Sequence, residues 1–193
     1  MQDFKEGPPI AGLNLVDARP AEDKSSEFLS VWISSCDYGI RRLGDEKTVP
    51  PRLALLQRDM EESLGDQLIN KTIVVTRYRI FFNKSADLLQ GNPGNRSGVI
   101  GPIVMAAVTP GPDSCGRDKP EGGRYNASEI STPYSPIIVE IEAKMGAQAY
   151  AVRSVYSPSK ELDGGFGERD EAKELFNAIH QADVRLADKM RQR

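Results

Sequence analysis

The stretch TIVVTRYRIFFN, residues 72–83, carries the clearest secondary-structure signal in the chain. Every second residue from Val74 to Phe82 falls in one set, and the arginines Arg77 and Arg79 fall in the other. Side chains of a strand point alternately to opposite faces of a sheet, so this period of two predicts a long strand. The face expected to be buried carries Val74, Thr76, Tyr78, Ile80 and Phe82.

A helix is predicted directly before this strand. Large apolar residues recur there at spacings of three and four, which places them on one side of a helix: Leu53, Leu56, Met60, Leu64 and Leu68. Pro50 and Pro51 suit the start of this helix, and Asn70 suits its end.

The last third of the chain predicts a hairpin and a second helix. Alternation begins at Ile137, and after Met145 and Gly146 a partner strand is expected over residues 147–156. A helix from about Glu168 has one apolar side made of Ala172, Leu175, Ile179, Ala182, Leu186 and Met190.

Weaker signals precede the first helix. Residues 11–17 read as a strand that stops before Pro20, and residues 21–26 read as a polar loop. Residues 28–33 favour a second strand, with a helical turn as the alternative. The whole order predicts a single α+β domain over residues 1–193, in which two helices cover one face of a largely antiparallel sheet.

A long insertion loop is expected at about residues 86–136, because these 51 residues contain eight glycines and seven prolines. An apolar run lies inside it, and its larger members are Val99, Ile100, Ile103, Val104 and Met105. The run is either a buried strand or packed segment, or a contact loop that faces a partner or a lipid surface.

Charge and hydropathy exclude some classes of protein. The 25 basic and 28 acidic residues are interspersed and give a net charge of −3, so no basic stripe is present to bind nucleic acid. No segment approaches the roughly 20 apolar residues of a membrane-spanning helix. The start lacks the apolar stretch of a signal peptide, so it is either native or follows removal of a signal and anchor.

The cysteines and histidine give no metal or redox motif, and no cofactor is expected. Cys36 and Cys115 are far apart, and His180 is the only histidine, so a zinc site lacks ligands. The two cysteines are either independent thiols or one disulfide formed in an oxidising compartment.

Catalytic motifs are likewise absent. His180 has no serine, cysteine or carboxylate at a recognisable motif spacing, and it is expected at the surface or at the boundary of the apolar side of the last helix. Residues 164–167, GGFG, lack the lysine of a phosphate-binding loop. Glu140 and Glu142 are expected on a solvated strand face, in one row with Lys144. The sequence therefore favours a protein that is not an enzyme.

The run LNLVDARP at residues 13–20, followed by a helix, a long strand, a hairpin and a terminal helix, resembles the small bacterial envelope lipoproteins of the YajG type. Auxiliary lipoproteins of envelope transport systems share this plan. The Asp-x-Arg that ends the family's first strand corresponds to Asp17 and Arg19, whereas the lipid-bearing cysteine has no counterpart. The resemblance implies a non-catalytic periplasmic domain, anchored to a membrane in its full-length form.

Three functions remain open at this point. The leading expectation is a cell-envelope binding or assembly module with a protein partner, located in the periplasm or anchored to the outer membrane if a signal was removed. The alternatives are a cytoplasmic protein-interaction domain and a small-molecule enzyme that uses the insertion loop as a lid. The sequence does not specify an oligomeric state.

Overall fold

The computed structural model describes residues 13–29, 40–83, 122–125, 129, 136–158 and 171–192. The described strands are β1 Asn14–Asp17, β2 Glu27–Phe28, β3 Arg41–Leu43, β4 Thr72–Phe82, β5 Ile137–Met145 and β6 Gln148–Tyr156. The described helices are α1 Ala21–Lys24, α2 Arg52–Leu64 and α3 Glu171–Arg191. Two 3-10 turns also occur, at Asp45–Lys47 and Gly65–Leu68.

The strands form one sheet in the order β2-β3-β4-β5-β6. All neighbours along this order are antiparallel. The exception is β1, which pairs in parallel with the first half of β4. This arrangement confirms the predicted α+β class with a largely antiparallel sheet.

Helices α2 and α3 pack on one face of the sheet and enclose the main core. The predicted apolar stripe of α2 is buried at Leu56, Met60 and Leu64, and the stripe continues through Leu68 in the following 3-10 turn. The predicted stripe of α3 is buried at Ile179, Ala182, Leu186 and Met190. On β5 the same face carries Ile137, Val139, Ile141 and Ala143. Burial of these side chains is the main force holding the helices to the sheet.

The alternation predicted for β4 is wrong in its first half. A β-bulge interrupts the pairing with β5 between Val75 and Arg77. Because one extra residue reverses the phase of the side chains, Ile73 and Val75 face the helices before the bulge, and Tyr78 and Ile80 do so after it. Val74 and Thr76 are only partly buried and do not belong to the main core.

The opposite face of the sheet carries a second, smaller core. Ile40, Phe81 and Ile138 pack there with Tyr125. Gly123 lies against Phe81 with a φ of 90°, and a Cβ atom at this position would come within 2.7 Å of the Ile40 side chain. Glycine is therefore required where this segment crosses the sheet.

One local prediction near the N-terminus needs correction, and one short strand there was not predicted. Residues 21–24 form α1 rather than a loop, because Pro20 precedes the helix, acidic residues occupy its first turn, and buried Asp23 bonds to Arg79. Strand β2, Glu27–Phe28, includes the first residue of the strand predicted over residues 28–33, and residues 30–33 lie outside the described residues. Strand β3 was not predicted, since its three residues RRL are too few and too polar to show a period.

Candidate functional site

Asp17 and Arg19, the residues that match the lipoprotein pattern, form an ion pair. Arg19 is 6% exposed, and its Nε lies 2.9 Å from Asp17 Oδ1. The other side of its guanidinium donates to both carboxylate oxygens of Asp45, at 3.0 and 2.9 Å. The hydrogen bond from Arg19 lowers the pKa of Asp17 below its ordinary range. This Asp-x-Arg motif therefore ties the end of β1 to the turn that follows β3.

Arg52 occupies a gap along the same edge of β4. Strand β1 pairs with β4 up to Val75 and β3 begins its pairing at Ile80, so no strand of the described residues lies beside the intervening backbone on that edge. Arg52, which is 1% exposed, donates to the carbonyls of Tyr78 and Leu43 at 3.0 and 2.9 Å. Its Nε lies 2.8 Å from Asp45 Oδ1 as an ion pair, although this N–H is not aligned for a hydrogen bond. Burial lowers the pKa of Arg52.

Two fully buried carboxylates lie between α2, α3 and β4. Asp183 accepts a hydrogen bond from the Tyr78 hydroxyl at 2.8 Å through Oδ1. Its Oδ2 has no hydrogen-bond partner among the described residues. Burial raises the pKa of Asp183 well above its ordinary value, and the nearby charge of Asp59 adds to the rise. Burial, followed by the charge of Asp183, likewise raises the pKa of Tyr78.

His180 has a carboxylate partner that the sequence did not reveal. Its Nδ1 lies 2.9 Å from Oδ2 of Asp59, and the other oxygen of Asp59 accepts from Arg58 at 2.6 Å. The expected boundary position is confirmed, since the His180 side chain is 49% exposed. The two residues lie 121 positions apart, so no sequence spacing indicated this pair. Among the described residues, no hydroxyl or thiol hydrogen-bonds to the imidazole.

Glu140 was expected on a solvated row, and this expectation is wrong. Its side chain is 13% exposed, and burial raises its pKa. Arg153 lies 3.9 Å from Glu140 and also donates to Glu129 at 2.5 Å. Glu142 remains 41% exposed and pairs with Arg77. The second core and Glu129 therefore cover one end of the sheet face on which Glu140 lies.

In the described part of the chain, strand β6 stands at the end of the sheet and has one backbone edge without a strand beside it. A two-residue turn at Gly146 and Ala147 joins β5 to β6, and the φ of 61° at Gly146 fits a type II′ turn. The two residues that flank such a turn form backbone hydrogen bonds with each other, and every second residue of β6 after that also bonds to β5. The residues in between direct their N–H and C=O groups away from β5. These are Ala149, Ala151, Arg153 and Val155, which we call the outer edge.

The position of Lys189 of α3 confirms that the backbone groups of the outer edge point away from β5. Its ammonium donates to the carbonyl of Ala151 at 2.6 Å, which requires that this carbonyl point away from β5. Ala149 and Ala151 are exposed. Within the described part of the chain, no backbone group pairs with the outer edge. Among the described residues, β6 is therefore an edge strand nine residues long.

One side of α3 runs beside β6. Asn177 contacts the Tyr156 hydroxyl at 3.4 Å, Gln181 accepts from Ser154 at 3.0 Å, and Lys189 reaches Ala151. Arg185 is exposed and falls in the same row, one helical turn from both Gln181 and Lys189. A polar and basic row therefore borders the outer edge.

Several predicted site residues lie outside the described residues. They are both cysteines, Cys36 and Cys115, the residues of the proposed contact loop, Val99, Ile100, Ile103, Val104 and Met105, and the glycine-rich run at 164–167. The choice between independent thiols and one disulfide therefore stays open, and the candidate contact loop stays a prediction.

Comparisons with known proteins returned no relatives. No family model matches the chain, and no match was found among the curated proteins or the solved structures searched. Within the described residues, no helix is long and apolar enough to cross a membrane. The same residues contain no group of three histidines, cysteines or carboxylates placed to hold a metal ion.

Proposed function

We propose that this chain is a non-catalytic binding or assembly module of the cell envelope, which binds a partner protein by strand addition at β6. The observation that carries the proposal is the outer edge, where four residues present backbone donors and acceptors in register. An extended segment of a partner adds to such an edge through main-chain hydrogen bonds.

The arrangement of the charged groups also supports a binding role. Arg19 and Arg52 bond within the fold, where they join β1, β3 and α2 to β4. Asp183 is enclosed beneath the helices. A rigid sheet held in this way presents β6 at a fixed position, which lowers the entropic cost of binding.

The envelope location rests on the element order and on the Asp17 and Arg19 motif, both of which resemble envelope lipoproteins. Fractionation of cells that express the native full-length gene tests this part. We expect an exported or membrane-associated product, in which Cys36 and Cys115 resist alkylation at lysis. A cytosolic product with both thiols alkylated would contradict the envelope location and leave a cytoplasmic interaction domain.

Site-specific photocross-linking in the same cells tests the binding part. A photoreactive residue at Ala149 is expected to give a discrete protein adduct, because Ala149 is exposed at the outer edge. The matched control position is Gln67, which is exposed in the 3-10 turn that follows α2. Ala151→Pro should abolish the adduct, because proline removes an outward N–H without disturbing the bonds to β5. Equal adducts at Ala149 and Gln67, or an adduct that survives Ala151→Pro, would contradict binding at this edge.

A further inference from the structure

A small group of positive charge lies on the α3 side of the outer edge of β6, although the chain as a whole has a net charge of −3. Two exposed cations of the row beside β6, Arg185 and Lys189, stand one helical turn apart. On the other side the charges are mixed, because Lys144 stands opposite Ala149, whereas Glu142 stands opposite Ala151. The remaining members of the α3 row are Asn177 and Gln181, and the nearby carboxylate of Asp188 pairs with Arg191.

Helix and strand run alongside each other with matched spacing. From Tyr156 to Ala151 the strand advances about 17 Å at 3.4 Å per residue. From Asn177 to Lys189 the helix advances about 18 Å at 1.5 Å per residue. Successive members of the row are therefore about 6 Å apart, close to the roughly 7 Å between alternate side chains of a strand.

Lys189 has a separate role at this edge. Its ammonium donates to the Ala151 carbonyl, which is one of the acceptors that an incoming strand would need for its own hydrogen bonds. Lysines at sheet edges protect against unspecific pairing. A partner strand must displace this ammonium, and displacement is favourable when the partner supplies a carboxylate in exchange.

We propose that the outer edge of β6 receives an extended acidic segment of the partner protein, whose carboxylates pair with Arg185 and Lys189 while its backbone bonds to Ala149, Ala151, Arg153 and Val155. This inference rests on the proposed function and names the chemistry of its partner. Arg153 already pairs with Glu129, so the cations left for the partner stand mainly on the α3 side. Acidic residues at alternate positions of the segment would then each lie opposite one member of the α3 row.

Fluorescence anisotropy with three labelled nine-residue peptides tests the inference. The probes alternate valine with glutamate, glutamine or lysine. We expect the glutamate peptide to bind the wild-type chain about tenfold more tightly than the glutamine peptide, and the lysine peptide to bind most weakly. Added salt should raise the Kd of the glutamate peptide more than the Kd of the glutamine peptide, because the charges of Arg185 and Lys189 are exposed to solvent.

Three variants assign the contacts. The double variant Arg185→Glu with Lys189→Glu should reverse the order of the peptides and favour the lysine peptide. The matched control is Arg191→Glu, an exposed cation of the same helix that bonds to Asp188 and to the Ser63 carbonyl of α2. This control should leave the order unchanged. Ala151→Pro should abolish binding of all three peptides, with circular dichroism and thermal unfolding showing that the fold is intact.

The outcomes separate this inference from the proposed function. Equal affinities for the three peptides, or equal effects of the double variant and Arg191→Glu, would overturn the acidic partner. Binding that survives Ala151→Pro would overturn strand addition as its mode. If none of the peptides binds but Ala151→Pro still removes the cellular adduct, the partner class is wrong and the proposed function stands.

Discussion

Replacement of Arg52 by methionine is expected to destabilise the chain by about 2–5 kcal/mol, since each buried carbonyl left without its donor costs about 1–3 kcal/mol. The side chain is 1% exposed and bonds to the carbonyls of Tyr78 and Leu43. Methionine fills a similar volume but donates no hydrogen bond, so both carbonyls lose their partner. Asp45 also loses one of its two arginines.

Urea denaturation at neutral pH measures this effect through the free energy of unfolding. The matched control is Arg77→Met, which removes an exposed pair with Glu142 and should cost about 0–1 kcal/mol. A change below about 1 kcal/mol for Arg52→Met would show that Arg52 does not hold the gap in the sheet edge together.

Replacement of Asp183 by asparagine is expected to stabilise the chain at alkaline pH relative to the wild type. Burial raises the pKa of Asp183 in the folded chain, so the folded state holds a proton that the unfolded state releases above about pH 4. The wild type therefore loses stability as pH rises above this value, by up to about 1.4 kcal/mol per pH unit, until the raised pKa is passed. Asparagine keeps the acceptor for Tyr78 and does not titrate.

The difference in unfolding free energy between Asp183→Asn and the wild type, measured from pH 4 to 9, tests this prediction. The neighbouring groups Asp59 and Arg58 of α2, Tyr78 of β4 and His180 of α3 are present in both chains, so their common effects largely cancel. Asp188→Asn is the control, because this carboxylate is on the same helix and 49% exposed. A difference that stays constant with pH would mean that Asp183 is ionised in the folded chain at neutral pH.

The fold class could be predicted because the major elements have strong periods. The stripes of α2 and α3 and the alternation of β5 each place apolar residues on one face, and burial of those faces determines the architecture. The bulge in β4 could not be located, since Val74 and Val75 are both apolar and fit either phase. Strand β3 depends on pairing with β4 rather than on its own short sequence.

The charged clusters were beyond prediction for a different reason. Arg19 reaches Asp45 across 26 positions, Tyr78 reaches Asp183 across 105, and His180 reaches Asp59 across 121. Such contacts follow from the packing of distant elements and leave no local spacing in the sequence. The outer edge of β6 had one usable signal, because a two-residue hairpin turn fixes which residues of a strand point away from its partner.

Amide hydrogen exchange along β6, followed by NMR, tests the central claim most directly. In the free chain we expect fast exchange at the outward amides of Ala149, Ala151, Arg153 and Val155, and slow exchange at the intervening amides bonded to β5. Addition of the valine–glutamate peptide should slow the outward amides and leave amides of α2 unchanged. Outward amides that exchange as slowly as their neighbours in the free chain would contradict an accessible edge, and with it the binding mode proposed for this protein.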